Sequence, residues 1–166
     1  VDMHRKFGRL PWSDLIQPAI DLAMEGVTLT EKEARGLNRN RVDFLRENPG
    51  KSYLISANGA EYTKGQVVTQ VDLGNTLKRI AVSKNKGFYR GETADLIVKE
   101  MQKQHGLISH ADLKNYRAVW RKPIVSSYKN YRIIGMPPPS SGGIALAQLM
   151  KMVEPYPLKK LSLIHI

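Results

Sequence analysis

The run Met136-Pro137-Pro138-Pro139-Ser140-Ser141-Gly142-Gly143-Ile144 constrains this chain more than any other stretch. Proline fixes φ at about −65° and has no N–H to donate, so Pro137, Pro138 and Pro139 cannot lie inside a central strand. Two hydroxyls follow, and Gly142 and Gly143 then permit positive φ or close approach by another backbone. Ile144 to Val153 is an apolar run with Leu146, Ala147, Leu149, Met150 and Met152 between. The pattern predicts a strand end, a rigid corner and a helix, an arrangement that often presents a site at a sheet's end. A helix apolar on nearly all sides is buried on nearly all sides, so this one needs partners, some of them expected outside the chain.

The segment feeding the corner reads as a hairpin. Pro123 to Tyr128 and Tyr131 to Met136 flank Lys129-Asn130, and Ile124 with the Tyr131, Ile133 alternation suits a half-buried pleated surface. This is the only convincing pair of strands, and the rest of the chain reads as helices. Leu10 to Glu25 is expected to be helical, with Pro11 suited to its first turn, Pro18 breaking or kinking it, and Gly26 at its C-terminus. Thr30 with Glu33 has the capping-box spacing for a helix running to about Arg46, which Asn48-Pro49-Gly50 would stop. Lys51 to Gly65, with Asn58-Gly59, reads as a loop carrying only short structure.

Asp72 can cap a helix that places Leu73, Leu77, Ile80 and Ala81 on one face. Gly91-Glu92-Thr93 opens another, with Ala94, Ile97, Val98 and Met101 inward and Gly106 just past its end. Ser109 and Asp112 start a short helix to about Arg117.

At 166 residues, with 42% apolar and 25% charged, the chain can bury a core, and no apolar run reaches the roughly 20 residues that span a bilayer. Val1 to Lys6 carries charge without a following apolar stretch, so it does not read as a signal peptide. Without an initiator Met, the start fits a chain read from the middle of a longer one. The absence of cysteine excludes disulfides and thiolate metal sites and leaves the redox compartment open. A net charge of +11 suggests nucleic acid, but the cations run from Arg5 to Lys160 mixed with acids, and no basic block alternates with aromatics. Arg35, Arg39, Arg41 and Arg46, at near-helical spacing, read as a solvated face. No nucleic-acid partner is expected.

Ser140 and Ser141 are the residues most easily mistaken for nucleophiles. Their P-S-S-G-G setting is not the G-x-S-x-G elbow, and a serine needs a general base held in reach by a third group. His4, His105, His110 and His165 show no matching signature. The simpler expectation is that both hydroxyls satisfy backbone donors at the turn and the helix start. Gly142-Gly143 could receive an anion at a helix N-terminus, but close packing explains the pair equally well. There is no H-E-x-x-H and no tight carboxylate cluster, so the motifs point to no metal site.

Several blocks together resemble the γ-glutamyltranspeptidase (glutathione hydrolase) family, in family order. They are Phe7 to Trp12 with Pro18-Ala19-Ile20; Val71 to Leu77; Gly87 to Gly91; and Gly106-Leu107-Ile108 with Asp112-Leu113 and Tyr116. Pro123-Ile124 with Tyr128 follows, then Met136 to Gly143, and the likeness spans about Phe7 to Pro157. It implies residues 1–161 are a partial large-subunit domain, with Ser162 to Ile166 an atypical tail left by a truncated or misread end. It further implies an α/β fold, the four-layer αββα sandwich of N-terminal nucleophile hydrolases, of which this part is mostly helical with one β-hairpin.

In such enzymes a self-cleaving precursor exposes a threonine, which attacks the γ-glutamyl amide of glutathione and passes the acyl group to water, an amino acid or a peptide. The resemblance also implies that no metal or organic cofactor is required. The partners implied are γ-glutamyl compounds, acceptors and the small subunit of the same precursor; the location implied is periplasmic or extracellular. No catalytic or substrate-binding residue of the family maps here, and Thr28, Thr30, Thr63, Thr69, Thr76 and Thr93 do not match the cleavage motif. Pro137, Pro138, Pro139, Ser140, Ser141, Gly142 and Gly143 are expected to support the pocket without breaking bonds. The alternatives are a same-fold acylase or capsule-transferring relative, and a basic binding module without enzymatic activity.

Overall fold

In the computed structural model, which describes residues 1–47, 54–56 and 58–158, the chain divides into two units, Val1–Tyr116 and Arg117–Ile166. The first is built on two long helices that pack against each other, α2 (Trp12–Glu25) and α5 (Val71–Ser83), preceded by a short α1 (Asp2–Phe7). Ile20 and Ala23 of α2 are buried. Gly74 of α5 is buried as well, because a Cβ there would run into the thioether of Met24. The Trp12 indole N–H donates to the Ile80 carbonyl at 3.0 Å, and Gln70 N–H donates to Ala23 O at 2.8 Å, fixing both ends of the pair.

Two local expectations change here. Pro18 does not break α2, which is continuous from Trp12 to Glu25. Its missing N–H forfeits one bond on an exposed turn, while Ile20 and Ala23 keep the next turn packed on α5. Asp72 is not the cap of α5: the helix starts at Val71 after Gln70, and Asp72 lies in the first turn with its carbonyl accepting from the Thr76 hydroxyl at 2.9 Å. A carboxylate there still faces the positive end of the helix. Of the expected α5 face, Leu77, Ile80 and Ala81 are half-buried and Leu73 is exposed.

Between these helices the chain makes a small sheet that the sequence hid. β1 (Val27–Thr28) pairs antiparallel with β2 (Val67–Val68), Val27 opposite Val68. Two residues per strand are too few for a period to show. Leu29, Ala34 and Tyr62 form the buried cluster beneath, with Leu37 and Val68 against it. The Asn38 side chain both donates to Tyr62 O (2.9 Å) and accepts from Tyr62 N–H (2.8 Å), pinning the 58–65 loop onto α3.

The helix from Thr30 is split into α3 (Glu31–Arg39) and α4 (Arg41–Glu47) rather than running unbroken to Arg46. Asn40 sits at the joint, its amide donating back to the Gly36 carbonyl at 3.0 Å, which competes with the backbone ladder. Asn48-Pro49-Gly50 lies outside the described residues. The capping box itself is complete, Glu33 N–H donating to the Thr30 hydroxyl and Thr30 N–H donating to the Glu33 carboxylate. The Thr30 hydroxyl also donates to that carboxylate at 2.7 Å, and this bond first, then the Thr30 N–H, holds Glu33 below the usual carboxylate range. Thr30→Ala should cost about 1 kcal/mol in urea unfolding; an unchanged midpoint would show that the cap contributes nothing.

α5 leads through α6 (Lys86–Tyr89) into α7 (Gly91–Lys103) and α8 (His110–Asn115). The Arg79 guanidinium binds the Thr93 hydroxyl (2.9 Å), the Thr76 hydroxyl (3.1 Å) and Glu92 (2.9 Å). Buried Thr93 in turn donates to Gly87 O at 2.8 Å. The Thr93 hydroxyl thus ties its own helix α7 to α5 through Arg79 and to α6 through Gly87. Ala94 and Val98 pack on Leu113, with Tyr89 and Ile97 beside them, and Met101 is half-buried, as the α7 periodicity requires. The Ser109–Asp112 capping box forms, although α8 ends at Asn115.

In the second unit β3 (Ile124–Tyr128) and β4 (Tyr131–Gly135) form the expected hairpin, in the register Ile124–Gly135 to Tyr128–Tyr131. Lys129, first in the turn, has φ +51°. The chain then rounds the proline corner into α9 (Gly142–Val153), which packs on both strands. Ile124, Ser126, Ile133 and Gly135 are half-buried, whereas Tyr131 is exposed. On the other face Val125 and Ile134 are exposed, and α9 leaves Ile144, Leu146, Leu149 and Met152 exposed too.

Candidate functional site

Strand β4 ends at Gly135, and the prolines turn the chain within four residues so that α9 returns along the hairpin. Pro137 is half-buried, Pro138 and Pro139 are exposed, and the peptide between the latter two is cis. The turn is closed by Ser140 N–H donating to Pro137 O at 3.2 Å. Because Pro137, Pro138 and Pro139 carry no N–H, their corner needs few partners of its own.

The two serines behave differently. Half-buried Ser140 accepts from Gly142 N–H through its hydroxyl at 3.4 Å, as expected for a hydroxyl at the turn. Ser141 is the residue before α9, but its φ of −77° and ψ of −17° are already helical and its side chain makes no cap bond. The expectation that both hydroxyls satisfy backbone donors therefore fails for Ser141. A cap needs extended backbone to swing its oxygen over the first turn, and the short exit from the prolines does not provide it.

The glycines answer a packing need. Gly143 is buried, and a Cβ on it would collide with the carbonyl oxygen of Met136. A Cβ on Gly135 would lie 2.9 Å from the Gly143 Cα. The end of β4 and the first turn of α9 thus touch backbone to backbone through two glycines. Gly142 is exposed, with only Ser140 Oγ near a notional Cβ at 3.6 Å. Of the two readings of Gly142-Gly143, anion cradle and close packing, the geometry supports packing. Gly135 was missed in the sequence because a lone glycine at a strand end looks like a terminator; its spacing of eight from Gly143 is the signal that could have found it.

Among the described residues of their unit, neither serine has a histidine to serve as a base. Residues 117–158 contain no histidine and one carboxylate, Glu154. Glu154 accepts from Lys129 N–H at 2.6 Å and from the Lys151 ammonium at 2.7 Å, which hold its carboxyl below the usual range, the Lys151 bond foremost. In the first unit the His110 ring meets Asp95 at 2.9 Å and the His4 ring meets Leu10 O at 2.9 Å. Among the described residues no group of three or more histidines, aspartates or glutamates could hold a metal ion. Among the described residues the corner positions backbone and brings no histidine to Ser140 or Ser141.

Glu154 was also missed, and it fastens the far end of α9 to the hairpin turn. Because its folded pKa lies below the ordinary value, its stabilisation is present above that value and is lost as pH falls through the folded one. Glu154→Gln should lower the urea midpoint at neutral pH, and the gap to the parent chain should close as pH falls below the ordinary carboxylate range. A gap independent of pH would rule out a charged clasp.

Comparison with known proteins places these elements. The family model described as Gamma-glutamyltranspeptidase matches residues 1–165. The chain is similar to the glutathione hydrolase proenzyme of Pseudomonas aeruginosa, 40% identical over 153 residues, covering 92% of this chain and 27% of that protein. It is also similar to an acylase proenzyme of a Pseudomonas species, 36% identical over 157 residues, covering 95% and 28%. The crystal structure of Helicobacter pylori gamma-glutamyltranspeptidase superposes with a TM-score of 0.91 at 40% identity, covering 98% of this chain and 46% of that one. The chain therefore spans roughly a quarter of the length of the curated relatives it matches. The fold class is the N-terminal nucleophile hydrolase type of these structures, to which the chain contributes helices and short antiparallel strand pairs. The chain belongs to the gamma-glutamyltranspeptidase family.

Proposed function

We propose that the chain is the scaffold part of a precursor that cleaves γ-glutamyl amides and transfers the acyl group to water, amino acids or peptides. The observation that carries this reading is the match of nearly the whole chain, in sequence and in three dimensions, to glutathione hydrolases. In this reading a threonine supplied by another part of the precursor attacks the γ-carbonyl carbon. The amide C–N bond breaks, the amine leaves with a proton, and the γ-glutamyl ester is then resolved by water or an acceptor amine. The word proenzyme in the names of relatives supports processing into two subunits.

Pro137 to Gly143 brace the pocket in this proposal. Their rigid corner and backbone-to-backbone contact fix where α9 starts, and the bond-breaking groups lie elsewhere. A second reading has one observation in its favour: acylase proenzymes match the same stretch at similar identity. The scaffold alone does not select the acyl group, so the donor must be tested. The full precursor encoded by the gene should release p-nitroaniline from γ-glutamyl-p-nitroanilide, and this chain alone should release none. Turnover of a glutaryl-cephalosporin but not of the γ-glutamyl donor would move the assignment to the acylases. Turnover by the chain alone would sink the scaffold reading.

A further inference from the structure

We draw no further inference here: the strongest candidate, the uncovered apolar face of the β3–β4 hairpin at Val125, Ile134 and Met136 together with the exposed side of α9, carries nothing because nothing in the structure shows what covers it.

Discussion

Gly143→Ala should destabilise the second unit by about 3 kcal/mol, a large effect for a single methyl group. The methyl would enter space held by the Met136 carbonyl, and its Cα already opposes Gly135. Alanine is otherwise the better helix former, by about 1 kcal/mol, so propensity alone predicts the opposite sign. Sterics should win because the obstructing atoms are backbone and cannot rotate away. Relief would require α9 to lift from β4, exposing apolar surface at about 25 cal/mol per Å². Urea unfolding followed by far-ultraviolet circular dichroism reads the effect. Gly142→Ala is the internal control, since the same methyl one residue earlier meets only Ser140 Oγ at 3.6 Å. Equal behaviour of the two variants would refute the contact as the reason for Gly143.

Gly87→Ala should be at least as damaging in the first unit, again about 3 kcal/mol or more. A Cβ on Gly87 would run into the carbonyl group of Arg79 and lie 2.7 Å from Ile80 N, in the last turns of α5. The same carbonyl region anchors the α2–α5 pair, because Ile80 O receives the Trp12 indole. Pushing α6 away would also part Gly87 O from the Thr93 hydroxyl, and Thr93 from Arg79. A buried hydroxyl or carbonyl left without its partner adds about 1–3 kcal/mol to the steric cost. Melting followed through Trp12 fluorescence, with Trp120 replaced by phenylalanine in both chains compared, would detect the loosened helix pair. A wild-type melting curve would mean that α6 can shift without disturbing α5.

The sequence announced the features whose physics is local. Both capping boxes, the hairpin with its two-residue turn, the inward face of α7 and the helix after the prolines follow from spacing or backbone restriction within a few positions. What escaped depends on partners distant in the chain. Val27–Thr28 becomes a strand only because Val67–Val68 lies beside it, and Asn40 breaks a helix whose periodicity continues through it. Pro18 was overrated because packing on α5 outweighs one missing bond. At the candidate site, the rigidity of Pro137 to Pro139 was legible and the role of Gly143 was half legible. Gly135 and Glu154 were silent, since each acts on a residue at least eight positions away.

The clasp at Glu154 gives α9 a measured length as well as a composition. Gly143 abuts the corner end of β4 and Glu154 meets the hairpin turn, so eleven helical residues, about 17 Å, must match the reach of the strand. Lys129 to Gly135 spans about 20 Å when extended, a comparable distance. Strand and helix therefore gauge each other. One residue added to or removed from α9 would rotate Glu154 by about 100° and shift it about 1.5 Å, taking it off Lys129. Substitutions along the exposed side of the helix leave that gauge intact. The hairpin and its returning helix thus tolerate drift in side chains far better than drift in length.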